Sequence, residues 1–214
     1  MSQRQYAYEK IRDGITYGQL RPGERLIEKR LCEQFVVGRT PLREALSQLQ
    51  IEGYLDFEPN KGVTITRIAP PELRNIYGVL AVLEGYATEL ATANLNSDDE
   101  RQLEHFQNEM REASHEKDFK RWMDQNALFH DYLSRASGNS HLHKLIQDQR
   151  RRTYRHRLIS TAIPDSIPAY FRSHEMILEA MFKGEGKTAG KLMQEHVLTV
   201  SDVMFDFMSK IQGL

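Results

Sequence analysis

The sequence predicts a mostly helical protein in two parts, with three short helices and a β-hairpin first and an antiparallel all-helical bundle after them. Three observations carry this reading. Residues 1–68 contain Gly14, Gly18, Gly23, Gly38, Gly53 and Gly62, which cut the chain into short elements. From about residue 70 onward the pattern becomes long helical periodicity with few breakers. The dipeptide Pro70-Pro71 sits at the change and reads as a linker. The predicted division is therefore 1–68, a linker at 69–71, and a helical domain over 72–214.

In the first part, Tyr8, Ile11, Ile15 and Tyr17 give a helical stripe that stops near Gly18. The turn Leu20-Arg21-Pro22-Gly23 leads into a second helix, from Glu24 to about Phe35, with Leu26, Leu31 and Phe35 inward. After Val36-Val37-Gly38 comes a third helix, capped by Thr40 or Gly38. Pro41 falls in its first turn, where the missing N–H costs little. Leu42, Ala45, Leu46 and Leu49 are its buried stripe and Gly53 its stop. Residues 54–57 and 63–66 alternate as strands around Pro59-Asn60-Lys61-Gly62, a hairpin turn. Two helices joined by a tight turn, then a hairpin, make a winged helix-turn-helix.

The second part reads as helices over about 71–94, 98–116, 118–137, 140–161, 165–183 and 187–211. Ser97-Asp98-Asp99-Glu100 has the pattern of a capping box, and Gly138 and Gly184 stand where helices should stop. Six helices in this length imply a compact bundle.

Composition narrows the function classes. The chain is 40% hydrophobic and 28% charged, ordinary for a globular protein, and no apolar run approaches the roughly 20 residues of a membrane span. The start, MSQRQYAYEK, lacks the apolar core of a signal peptide. One cysteine, Cys32, rules out an internal disulfide framework and suits a cytoplasmic protein. The net charge is −1, so any nucleic-acid binding rests on a local patch.

A helix in the major groove needs exposed donors near its N-terminus. Arg39, Thr40 and Arg43 occupy those positions, and Lys29 on the preceding helix can reach phosphate. The hairpin tip Asn60-Lys61-Gly62 is small and basic, as a wing entering a minor groove should be. The blocks Leu20-Arg21-Pro22-Gly23-Glu24-Arg25-Leu26, Arg39-Thr40-Pro41-Leu42-Arg43-Glu44-Ala45-Leu46 and Gly53-Tyr54-Leu55 resemble the GntR family of bacterial transcription regulators. The resemblance implies that Arg39, Thr40 and Arg43 read bases, that Lys29 contacts DNA, and that Gly62 lies at the wing tip. Gly38 departs from it, because the family usually shows Ser there.

In the second part, Asn126 and His130 are four apart and share a helix face, while His174 and His196 fall on the last two helices. Three imidazoles and an oxygen ligand suit Zn²⁺ or a similar cation. Convergence is a tertiary property that spacing leaves open, and five other histidines show that the residue is not scarce. Residues 126–130, 137–139, 174–180 and 193–196 are similar to the FCD effector domain of the FadR branch. That likeness implies a divalent metal (Zn, Ni or Mn) held by Asn126, His130, His174 and His196, with a small carboxylate effector completing its coordination. Asn126 stands where metal-binding members often carry Asp, and a neutral amide is the weaker ligand. Leu80, near Glu84, stands where members often carry Arg.

Arg150, Arg151, Arg152, Arg155 and Arg157 form a basic run in one helix, read first as a solvated face. Continuing the stripe Leu142, Leu145, Ile146 brings Gln149, Arg152 and His156 inward, so Arg152 is the expected clamp for an effector carboxylate. The rival function is a metal-dependent hydrolase or lyase using His130, His174 and His196. No His-Glu-x-x-His motif, phosphate-binding glycine loop or nucleophile elbow supports it, and Trp122 with Phe119 and Met123 reads as core. A purely architectural DNA-binding protein would be expected to fill its dimer clamp with leucine. The sequence thus points to a non-enzymatic regulator, a repressor as the resemblance implies, binding a palindromic operator as a homodimer joined through its helical domains.

Overall fold

The computed structural model describes residues 1–58, 62–161 and 166–212. The chain separates into two compact units, Met1–Ala69 and Pro70–Leu214.

The first unit opens with α1 (Gln3–Thr16), capped by the Ser2 hydroxyl, which accepts from Gln5 N. Its buried stripe is Ala7, Ile11 and Ile15. Tyr8 lies beside that stripe and donates its hydroxyl to Glu52 at 2.7 Å. α2 runs over Glu28–Phe35, four residues later than the pattern predicts. The cause is a competing pairing: Leu26 N donates to Val63 O at 2.9 Å, and Ile65 N to Glu24 O at 3.0 Å. These bonds draw residues 24–26 against the hairpin, with Arg25 bridged to Thr64. A tight turn, with Val36 at φ 54°, leads to α3 (Arg39–Ile51).

Leu42, Ala45, Leu46 and Leu49 are the buried face of α3, as their spacing predicts. Gly38 is the N-cap and offers no side-chain bond. Its own N–H is met by Gln3 Oε1 at 3.1 Å. At the other end Gly53 adopts φ +80°, and Tyr54 N reaches back to Leu49 O, so the stop needs a residue tolerant of the left-handed region. The antiparallel strands β1 (Leu55–Glu58) and β2 (Gly62–Ile65) pair Leu55 with Ile65, and both side chains enter the core. Their bounds lie one residue from the expected ones. Gly62 has φ +79°. The expected turn residues Pro59, Asn60 and Lys61 lie outside the described residues.

The second unit consists of α4 (Pro70–Asn94), α5 (Ser97–His115), α6 (Phe119–Ala136), α7 (Ser140–Thr161), α8 (Ser166–Phe182) and α9 (Gly186–Gln212). Pro70 and Pro71 open α4 instead of forming a linker, since proline costs little in a first helical turn. The capping box also shifts by one residue. Asn96 is the N-cap, and its side chain accepts from Asp98 N and Asp99 N while Asp99 accepts from Asn96 N. Gly138 and Gly184 end their helices with positive φ. α4 and α9 approach closely at Gly85 and Gly190, where a Cβ on either would sit 2.7 Å from the other's carbonyl oxygen. The buried faces of α4, α6, α7, α8 and α9 carry polar groups amid the apolar core. Glu84, Asn126, His130, Arg150, His174 and His196 are all nearly or fully inaccessible, and they locate the site.

Candidate functional site

α6 turns Trp122, Asn126, Phe129, His130 and Leu133 inward at helical spacing, which sets Asn126 and His130 on one buried face. α8 supplies His174 and α9 supplies His196. The ligand nitrogens of the three histidines lie within 4.8 Å of one another. Convergence, which spacing left open, is therefore present. His174 Nε2 and His196 Nε2 are 3.2 Å apart. Two nitrogens held about 2.1 Å from one ion lie roughly 3.0–3.4 Å apart at right or tetrahedral angles.

Contacts at the far ring nitrogens of His196 and His130 explain the orientation of those two rings. Ser173 Oγ lies within hydrogen-bond reach of the Ala169 and Tyr170 carbonyls and stands 2.9 Å from His196 Nδ1. The hydroxyl donates to the main chain and accepts from His196, so the His196 Nε2 lone pair faces the cluster. His130 Nδ1 is 2.8 Å from Glu84 Oε2, an imidazole oriented by a buried carboxylate. Phe129 stacks on His174 with ring centroids 4.7 Å apart. Asn126 Oδ1 and Trp122 Nε1 are buried with no hydrogen-bond partner among the described residues. The three imidazoles and the open Asn126 oxygen suit a divalent cation. The adjoining cavity, of about 30 Å³, is lined by Asn126, His130, Arg150, His196, Leu80 and Trp122 among others. It has room for an ion and a water or two.

Sequence reasoning missed two members of this site. Glu84 sits on the buried stripe of α4 formed by Tyr77, Leu80, Ala81, Ala87 and Ala91, and a charge on such a stripe was the available signal. Arg150 is its partner. Arg150 Nη2 donates to Glu84 Oε2 at 2.7 Å, and Arg150 Nε to Glu84 Oε1. The expectation that Arg152 turns inward is corrected. Its side chain is 39% exposed and pairs with Glu72 at 2.8 Å, while that of Arg150 is 7% exposed. The error came from Leu145, which is solvent-exposed. The true stripe, Leu142, Ile146, Arg150 and Thr153, advances by four, four and three. The side chains of Arg155, His156 and Arg157 lie outside the described residues.

Burial pushes the Glu84 carboxyl up, but Arg150 and His130 outweigh it and hold the group below the usual carboxylate range. Burial, then His196 and His130, holds His174 well below the usual histidine range. Burial and His130 take His196 down to about 3. Both imidazoles are thus neutral at physiological pH, the form that metal coordination needs. In chelator-treated protein they stay neutral when folded but take up protons on unfolding below their ordinary value, about 6.5. Their contribution is full above pH 6.5 and is lost as pH falls through their lowered folded-state values, about 3 for His196. Stability should drop by about 1.4 kcal/mol per pH unit for each imidazole that stays neutral. Urea denaturation between pH 8 and 5 checks this, and a constant midpoint would contradict it.

On the first unit, Lys29, Arg39, Thr40 and Arg43 are all exposed, the last three on α3. Arg43 Nε donates to Glu28 Oε2 at 2.9 Å. Gly62 opens β2.

A helix-turn-helix with exposed cationic residues on its second helix, carried on a chain with a buried polar ligand pocket, defines a DNA-binding transcription regulator with an effector-binding domain. The comparisons give the family. Residues 3–65 match the model for bacterial regulatory proteins of the gntR family, and residues 75–199 match the FCD domain. The chain belongs to the gntR family, in the branch that carries an FCD domain, and is a regulator and not an enzyme. It is 28% identical over 195 residues to YdhC of Bacillus subtilis, a helix-turn-helix-type transcriptional regulator, covering 89% of this chain and 84% of that one. It is 24% identical over 198 residues to the transcriptional repressor RspR of Escherichia coli, covering 92% and 87%. The structure of E. coli McbR/YncC superposes with a TM-score of 0.83 at 21% identity, over 97% and 99% of the two chains, a likeness of fold. Among the described residues, no helix is long and apolar enough to cross a membrane.

Proposed function

We propose that this regulator is a cytoplasmic repressor that binds a palindromic operator as a homodimer and releases it when a small carboxylate enters the helical unit. The observation that carries the reading is the convergence of His130, His174 and His196 beside a cavity that Asn126, whose buried oxygen has no hydrogen-bond partner among the described residues, also lines. Those four residues would hold a divalent cation, Zn, Ni or Mn. The ion would supply an electrophilic site for a carboxylate oxygen. Arg150, lining the same cavity, takes the anion-clamp role expected of Arg152. The relative named a repressor supports the sign of regulation. An exposed apolar stripe on α4, Val79, Val82 and Tyr86 at spacings of three and four, supports pairing through the helical units.

An effector that binds one DNA-binding state better than the other must shift operator affinity, and the operator must shift effector affinity equally. The test is fluorescence anisotropy on a duplex selected by the full-length protein from a random library. A panel of mono-, di- and tricarboxylates is added with and without zinc. Release by a carboxylate only when metal is present supports the reading, and no response to any carboxylate opposes it. In the same assay Arg43→Ala should cost about 1–3 kcal/mol and relax preference at one base pair. Unchanged affinity and preference would remove Arg43 from the reading set.

A further inference from the structure

We propose that Glu28 is a positioning residue for DNA reading, which aims the Arg43 guanidinium at a guanine and disfavours nonspecific duplex. The inference rests on Arg43 as a base reader. Glu28 opens α2, Arg43 stands one turn into α3, and Arg43 Nε donates to Glu28 Oε2 at 2.9 Å. The side chains are 66% and 36% exposed, respectively, so the pair lies at the surface that carries Lys29, Arg39 and Thr40. Exposed pairs of this kind add little to stability. A role in folding is therefore not what the contact supplies.

Guanidinium has one Nε–H and two terminal amino groups. With Nε occupied by Glu28, the Nη1 and Nη2 groups of Arg43 have no protein partner among the described residues. They form the edge that meets guanine O6 and N7 end-on. Arginine is long and rich in rotamers, and a side chain already held in its bound orientation loses less freedom on binding. The carboxylate has a second consequence. It places a negative charge beside the groove-facing cation, where it offsets part of the attraction of that cation for phosphates. Phosphate attraction is common to all sequences, so Glu28 lowers nonspecific affinity. The guanine contact survives because its donors lie on the opposite edge of the guanidinium.

The test uses full-length protein, the duplex selected by the wild type, its single-base-pair variants and a random-sequence duplex. Glu28→Gln keeps the side-chain shape and removes the charge. It should tighten random-duplex binding, weaken selected-duplex binding, and lower the ratio between them by about three- to tenfold. The loss of preference should fall on the base pair that Arg43→Ala also relaxes, and the double variant should relax it no further than Arg43→Ala alone. An unchanged ratio, or a loss at a different base pair, overturns the proposal. If Arg43→Ala relaxes no base pair, Arg43 is not a reader and the proposal falls with that assignment, a result told apart by the Arg43 variant alone.

Discussion

Protein purified without chelator, and without a tag that strips metal, is expected to carry close to one divalent ion per chain, and His174→Ala to carry none. His174 is fully buried, its Nε2 sits 3.2 Å from His196 Nε2, and Phe129 stacks on its ring. Removing it takes away one imidazole and leaves a set too small to outcompete water. Ser173→Ala makes the argument sharper. That change leaves every ligand in place and unties only His196 Nδ1, so metal affinity should fall by about 10–100-fold without vanishing. Asn126→Asp should raise affinity, because a carboxylate offsets the ion's charge where an amide does not. The measurements are metal content by mass spectrometry and titration calorimetry of stripped protein, with circular dichroism to show that each variant is folded. Wild-type protein that takes up no metal even from added zinc would sink the metal reading and leave a polar pocket of histidines and Arg150.

Arg150→Leu should cost about 3–5 kcal/mol of stability, because it leaves the Glu84 carboxylate buried beside His130 with no cation to compensate it. The double variant Glu84→Leu/Arg150→Leu should recover most of that loss. A buried ion pair and well-packed apolar side chains are often nearly equal in stability, since desolvation of both charges offsets their attraction. The cycle is measured by urea denaturation, with wild type, both single variants and the double variant. A single Arg150 variant as stable as the wild type would mean that water reaches Glu84. The double variant should nonetheless lose metal affinity, because His130 Nδ1 then has no carboxylate to orient it. Stability and metal binding thus separate in one protein.

Much of this was legible in the sequence. Helical periodicity, Gly53, Gly138, Gly184 and the apolar stripe of α3 are local signals. Each acts through residues within a turn or two, so the fold class and most helix ends follow from them. The metal candidates came from resemblance, and the spacing of Asn126 and His130 placed two of them on one face. The start of α2 was misjudged because residues 24–26 bond to a strand some forty residues away, a competition that no local pattern records.

The inward arginine marks the same boundary more sharply. One exposed leucine, Leu145, was enough to rotate the predicted buried face of α7 from Arg150 to Arg152. Sequence alone determined the two-part architecture and the helix-turn-helix, which depend on periodicity and residue type, and resemblance supplied the candidate ligands. Tertiary structure decided that the three histidines meet, that Ser173 and Glu84 orient their rings, and that Arg150 neutralises Glu84. Those relations join helices far apart in the chain, and burial makes them consequential, since a charge or an imidazole removed from water must find its partner inside the fold.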